Sequence, residues 1–250
     1  GPGSEEGREQ LVVVRAVDDR FTVSVDSSGA PLHERGWRQA TARAPLRESV
    51  AAALLTAARW DPTTPLVDPL CGSGTIAIEA ALRASGAAPA GQRDLAFQSW
   101  PGFEPGTWAS VTAEADRRVS EAGAVPSIVA ADRDAGAIES AQSNAQRAGV
   151  EGLIEWRRAP IADLVPPAGV QAENGLLATN PPWGGRVSGG DLRNLYATLG
   201  RVAAERFAGW SLGVLVADRG LARQVRPGLT ETLDLELGGR RAWFLTGRVG

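Results

Sequence analysis

The chain has 250 residues, 43% hydrophobic and 22% charged, which is enough apolar material for one large domain with a small appendage. Its 30 glycines and 16 prolines are dispersed between periodic segments, excluding collagen-like and low-complexity architectures, and no apolar run approaches the ~18 residues of a membrane span. The single cysteine, Cys71, excludes an internal disulfide and a cysteine-rich zinc site and points to a reducing, cytoplasmic compartment. The formal charge is −3 and every basic residue is arginine. Residues 1–30, 31–60, 61–179 and 180–250 carry −3, +3, −7 and +4. A fold that joins the two basic blocks would make an arginine-lined face on an acidic body, suited to a nucleic acid.

In chain order, Gly1–Ser4 reads as the remnant of a cleaved tag, and no charged-then-apolar leader opens the sequence. Residues 5–44 form an N-terminal β-hairpin extension, in which Leu11–Val17 and Phe21–Asp26 alternate apolar and polar around Asp18-Asp19. A turn-rich, arginine-rich stretch, Ser27–Ala44, follows. Residues 45–250 form the main domain. Its first element is a helix predicted over Pro45–Trp60, with proline in the first turn and Glu48 near the positive end. Next come a short strand, Pro65–Leu70, a tight loop, Cys71–Gly74, and a helix, Thr75–Ser85. Gly86–Gly106 is loop-like and Thr107–Gly123 helical. Strands at Ile128–Asp132, Leu153–Arg158, Leu176–Asn180 and Leu212–Asp218 then alternate with helices at Ala135–Ala148 and Leu192–Phe207. Glu231–Leu237 and Arg241–Val249 are joined by Gly238-Gly239, a tight hairpin signal. This alternation predicts an α/β fold: a doubly wound, mostly parallel sheet with both faces covered and an antiparallel C-terminal strand at one side.

The strand ending in Asp68 leads through Gly72-Ser73-Gly74 into a helix, placing backbone N–H groups at the carboxyl edge of the sheet, where such folds bind ligands. Gly72–Ala77 also satisfies the spacing of a dinucleotide fingerprint, so a nicotinamide dehydrogenase is one reading. Two features favour S-adenosylmethionine. A dinucleotide site places its ribose-binding acid ~20 residues on, whereas the acid ending the next strand is Asp132, 60 residues beyond Gly72. Asp68 also precedes the glycines, where its carboxylate suits a cationic amino-acid group and would repel a pyrophosphate.

Thr179-Asn180-Pro181-Pro182-Trp183-Gly184 is the most informative hexapeptide. Two consecutive prolines fix their own φ angles, remove two N–H donors and push Asn180 into an extended conformation. On this rigid shelf the Asn180 oxygen and the Pro181 carbonyl accept hydrogen bonds and Trp183 offers a flat face. An exocyclic amine of a nucleobase needs that combination: two acceptors orient its nitrogen, and a ring stacks its base at ~1–3 kcal/mol. Aligning such a weak nucleophile with a sulfonium methyl is positional catalysis and requires no strong base.

Together these residues resemble the methyltransferase domain of the ribosomal and transfer RNA guanine-N2 methyltransferases that usually carry an N-terminal THUMP domain. The likeness runs from about residue 21 onward. It includes Asp26-Ser27-Ser28-Gly29 and Leu32-His33-Glu34-Arg35-Gly36-Trp37-Arg38, then Ala44-Pro45-Leu46-Arg47-Glu48. It continues through Asp68-Pro69-Leu70-Cys71-Gly72-Ser73-Gly74-Thr75, Trp100-Pro101-Gly102-Phe103, Asp132 and Asn180–Gly184. The resemblance implies a Rossmann-like class I methyltransferase. S-adenosylmethionine would be held by Asp68, Pro69, Cys71, Gly72, Ser73, Gly74, Thr75, Asp132 and Arg133, with Pro45 and Leu46 closing over it. Asn180, Pro181, Pro182 and Trp183 would hold guanine, with Asn180 also facing the cofactor. It further implies an RNA partner, rRNA or tRNA, and an RNA-recognition domain or partner ahead of residue 21. Two positions depart from the pattern: Pro160 replaces the aspartate that holds the adenine amine, with Asp163 one turn on as its substitute, and Trp183 replaces a tyrosine.

Arg35, Arg38, Arg43 and Arg186 are the predicted phosphate contacts at the pocket mouth. His33 is the only histidine, which excludes multi-histidine metal chemistry, and it reads as a loop side chain satisfied locally and not as a catalytic group. Cys71 reads as a small packing residue, and Trp100 and Phe103 as packing for the 86–106 insertion. Adenine N6 or a glutamine amide is the alternative acceptor, and a non-catalytic RNA-binding module the alternative class.

Overall fold

The computed structural model describes residues 10–39, 46–89, 93–169, 174–184, 189–226 and 228–250. Its main sheet has seven strands: β3 (Leu66–Asp68), β4 (Ile128–Asp132), β5 (Ile154–Arg158), β6 (Leu176–Thr179), β7 (Ser211–Val216), β8 (Thr230–Leu237) and β9 (Arg240–Arg248), in the order β5-β4-β3-β6-β7-β9-β8. β3 through β7 are mutually parallel, and β9 runs antiparallel between β7 and β8. The final hairpin therefore adds two strands to the sheet, where the sequence suggested one at its side.

The four central strands are nearly continuous apolar runs because both faces are covered. Successive side chains alternate between two cores. Leu66, Ile128, Ala130, Leu176 and Ala178 face one core, beside α1 (Glu48–Ala57), α2 (Thr75–Ala84) and α4 (Ala135–Arg147). Val67, Val129, Ala131 and Leu177 face the other, beside α5 (Gly189–Arg206) and α6 (Arg219–Val225). Chain order runs outward from β3 in both directions, so a crevice opens at the carboxyl ends of β3, β4 and β6.

Several elements differ from expectation at their ends. The first main-domain helix starts at Glu48, because Arg47 is extended (ψ 145°), and ends at Ala57, before the left-handed Arg59. α3 (Pro105–Glu121) begins two residues early because proline suits a first helical turn. The 86–106 stretch contains a 3₁₀ turn, Ala96–Ser99, and Phe97 packs against Phe103 and Trp108, as the packing reading of Phe103 implied. α6 was not foreseen: Asp218, read as the end of a strand, caps this seven-residue helix by accepting a hydrogen bond from the Gly220 N–H at 2.6 Å.

The N-terminal hairpin, β1 (Val12–Val17) and β2 (Arg20–Val25), forms its own two-stranded sheet around Asp18 and Asp19, both at positive φ. All its strand residues are exposed on both faces. Gln10 ties it down, donating to the Asp26 carbonyl at 2.7 Å and accepting from Trp100 Nε1 at 2.6 Å.

Candidate active site

At the end of β3 the chain turns through Gly72 (φ +52°) and Gly74 (φ +81°) into α2. A Cβ on Gly74 would sit 2.9 Å from that of Ala141 in α4, so position 74 is fixed by both backbone conformation and close approach. The buried Asn144 of α4 donates to the Ser73 carbonyl at 3.1 Å, locking the loop from behind. Asp132, at the tip of β4, accepts from the Gly72 N–H at 3.1 Å through one oxygen and from the Asp134 N–H at 3.0 Å through the other. Its carboxylate thus shapes the loop and lines the crevice at once. Asp68 is buried, and its Oδ1 accepts from the Thr179 hydroxyl at 2.8 Å and the Leu70 N–H at 3.2 Å. Burial pushes its carboxyl up to about 7. Thr179 opens the hexapeptide, but the sequence assigns its hydroxyl no role. It joins the tip of β6 to the tip of β3, and only the strand pairing reveals its partner.

Beyond Thr179 the shelf is braced on three sides. Pro181 is buried, the Tyr196 hydroxyl of α5 donates to the Pro182 carbonyl at 3.4 Å, and Trp183 Nε1 donates to the Leu215 carbonyl of β7 at 3.3 Å. Asn180 Oδ1 is buried and has no hydrogen-bond partner among the described residues. An acceptor left this way costs roughly 1–3 kcal/mol.

The two loops meet. Leu46, Leu70, Gly72, Asp132 and Arg133 share one cavity of about 1240 Å³ with Asn180, Pro181, Pro182 and Trp183. Of the residues assigned to cofactor, Leu46, Gly72, Asp132, Arg133 and Asn180 reach the space. Pro69, Cys71, Ser73, Gly74 and Thr75 are buried behind it with Asp68, and the Thr75 hydroxyl is occupied by the Arg38 guanidinium at 2.9 Å. Cys71 is a packing residue, its thiol pushed well up by burial. Pro160 and Ile161 form the wall beside β5, whereas Asp163 is exposed and outside the lining. The 3₁₀ turn Ile161–Asp163 carries it past the crevice.

Arg35 and Arg38 are not at the pocket mouth. Their side chains are 10% and 11% exposed, paired with Glu79 of α2 at 2.9 Å and Glu48 of α1 at 3.2 Å, because the turn-containing 31–39 segment brings them against these helices. Exposed arginines do line the cavity, namely Arg47, Arg133 and Arg240, one from each of three distant segments. Arg47 and Arg240 belong to the two basic blocks. Pro45, Arg43 and Arg186 lie outside the described residues. Among the described residues no cluster of three or more His, Cys, Asp or Glu is placed to hold a metal, and no helix is long and apolar enough to cross a membrane.

An open parallel sheet ended by an antiparallel β9 inserted beside β7, with a glycine turn and an Asn-Pro-Pro turn facing one crevice, is the class I methyltransferase fold. The chain belongs to the UPF0020 family, described as RMKL-like, methyltransferase domain, whose model matches residues 35–232. It is 39% identical over 205 residues to the slr0064 protein of Synechocystis sp., covering 81% of this chain and 52% of that one. It is 40% identical over 203 residues to the "Ribosomal RNA large subunit methyltransferase K/L" of Marinobacter nauticus, covering 78% of this chain and 28% of that one. The crystal structure of SMU.472 complexed with SAH superposes with a TM-score of 0.87 at 29% identity, over 98% of this chain and 63% of that one. The chain thus spans about half of slr0064 and under a third of the K/L relative.

Proposed function

We propose that this chain is an S-adenosylmethionine-dependent RNA methyltransferase that modifies the exocyclic N2 amine of guanine in ribosomal or transfer RNA. The observation that carries this reading is the buried Asn180 Oδ1, without a hydrogen-bond partner among the described residues, in the lining of a cavity that Gly72 also lines. A guanine amine has two protons to give, and one of them would satisfy this acceptor. The K/L relative's name supports ribosomal RNA as the substrate, and the SAH complex of SMU.472 supports the cofactor.

The residues present fit that cofactor. Asp132 offers a carboxylate to ribose hydroxyls, Leu46, Pro160 and Ile161 give apolar walls for an adenine, and Asp68 supplies negative charge behind the loop for an ammonium group. Bound S-adenosylmethionine supplies an electrophilic methyl on a sulfonium. The chain does the rest by position. Asn180 and the Pro181 carbonyl grip the amine, Trp183 stacks the base, and the proline-fixed backbone holds the nitrogen on one line of approach. No group of high basicity is required, since the alkylated nitrogen is acidic and sheds its proton to water. In the same reading, residues 5–44 are an extension to a transferase domain over 45–250.

Incubation with methyl-labelled cofactor and bulk RNA, followed by digestion to nucleosides, is expected to place the label on N2-methylguanosine. Label in N6-methyladenosine would move the acceptor, and label in no nucleoside would overturn the reading.

A further inference from the structure

A second concavity of about 500 Å³ adjoins the cavity and shares two of its walls, Trp183 and Arg240. Tyr196 of α5, Asp218 and Arg219 at the start of α6, and Trp243 of β9 also line it. Nothing in the methyl-transfer reading uses this space. The Arg219 guanidinium lies 4.4 Å from the Trp243 ring centroid and is ion-paired to Glu231. Arg240 lies 5.9 Å from the Trp183 ring centroid and has no acidic partner among the described residues. The one carboxylate in the lining, Asp218, is engaged by the Gly220 N–H.

A base held against Trp183 is joined to its neighbour by a single phosphodiester, so the neighbour falls within one nucleotide's reach of the partition. We propose that the second concavity is the subsite for the nucleotide adjoining the target base in RNA. Arg240, at the junction of the two spaces, takes the connecting phosphate, and the Arg219 guanidinium braced on Trp243 is the plane against which the neighbouring base stacks. Unpaired RNA bases are commonly held on aromatic rings or guanidinium planes, and such stacking tolerates any base. The site therefore selects for a single-stranded neighbour more than for its identity. This inference rests on the RNA reading above.

Fluorescence anisotropy with a labelled mixed-sequence hexaribonucleotide tests it across a salt series. Arg219→Gln is expected to weaken binding at least about fivefold, and Arg240→Gln to reduce the slope of log K against log salt by about 1. Glu231→Gln, which releases Arg219 from its carboxylate, should tighten binding. Arg219→Lys should keep the wild-type salt slope yet lose affinity as Arg219→Gln does, because it keeps charge without the plane. Affinity for S-adenosylhomocysteine should stay unchanged in the Arg219 and Glu231 variants, which separates loss of the subsite from loss of folding. Hexamer affinity equal in wild type and both Arg219 variants, or no hexamer binding by wild type, overturns the subsite. Labelled methyl still entering bulk RNA would then leave the transferase reading standing, and its absence would remove both.

Discussion

Asn180 and Asp68 sit at the tips of β6 and β3, and each is held in an unusual state by its neighbours. Asn180 presents a buried acceptor with no donor among the described residues. Asn180→Ala is expected to lower the methyl-transfer rate by roughly 10²-fold or more, while S-adenosylhomocysteine binds as in wild type by calorimetry. Asp68 is protonated in the folded chain up to about pH 7, whereas an unfolded aspartate titrates near ~3.9. Between those values the folded state holds the extra proton, so the Asp68 contribution to stability is present below about pH 4 and is lost as pH rises toward 7. An ammonium group beside Asp68 would favour its charged form. S-adenosylhomocysteine binding at pH 6 should therefore release a proton, read from calorimetry in buffers of different ionisation enthalpy, and Asp68→Asn should abolish that release.

Among elements, the segment before α1 matters most to the crevice. Arg38 spans it, donating to the Leu46 carbonyl and to Thr75 Oγ1 while pairing with Glu48, so one guanidinium ties the cavity wall at Leu46 to the first residue of α2. Glu48 is 3% exposed. Removing Arg38 leaves that carboxylate buried without its partner, and Arg38→Met is expected to cost about 3–5 kcal/mol in denaturant unfolding. Adding Glu48→Leu should return most of it, since an apolar pair of similar volume removes the orphaned charge. Glu79, pushed up to about 7 by burial despite Arg35 beside it, belongs to the same layer. Pairing with acids on helices explains why these two arginines, which look like a basic patch in sequence, are structural.

For the whole molecule, the two basic blocks meet at one cavity through Arg47 and Arg240, with Arg133 from the acidic middle beside them. Arg47, Arg133 and Arg240 come from segments far apart in sequence and line one cavity on a chain of net charge −3. Each glutamine substitution among them should reduce the salt slope of RNA binding by about 1, with losses nearly additive if the sites are independent. The α/β class, the parallel strands and both turns were legible in sequence because buried strands must be apolar, and because glycine and paired prolines restrict the backbone wherever they occur. α6 was not legible, since seven residues are too few for a helical period to appear. Nor was the place of β9 between β7 and β8, since a hairpin signal does not say which of its strands joins the sheet.

The sequence by itself determined the elements and the two chemically restricted turns, because backbone conformation at Gly72, Gly74 and Asn180–Pro182 follows from local sterics. Only the tertiary structure decided which charges remain free. Arg35 and Arg38 are neutralised by Glu79 and Glu48, the Asp68 carboxyl is raised by burial and bonded by Thr179, and Asn180 Oδ1 has no donor among the described residues. The reason is physical: ion pairing, desolvation and hydrogen-bond satisfaction depend on distances between residues remote in the chain, which no local pattern encodes.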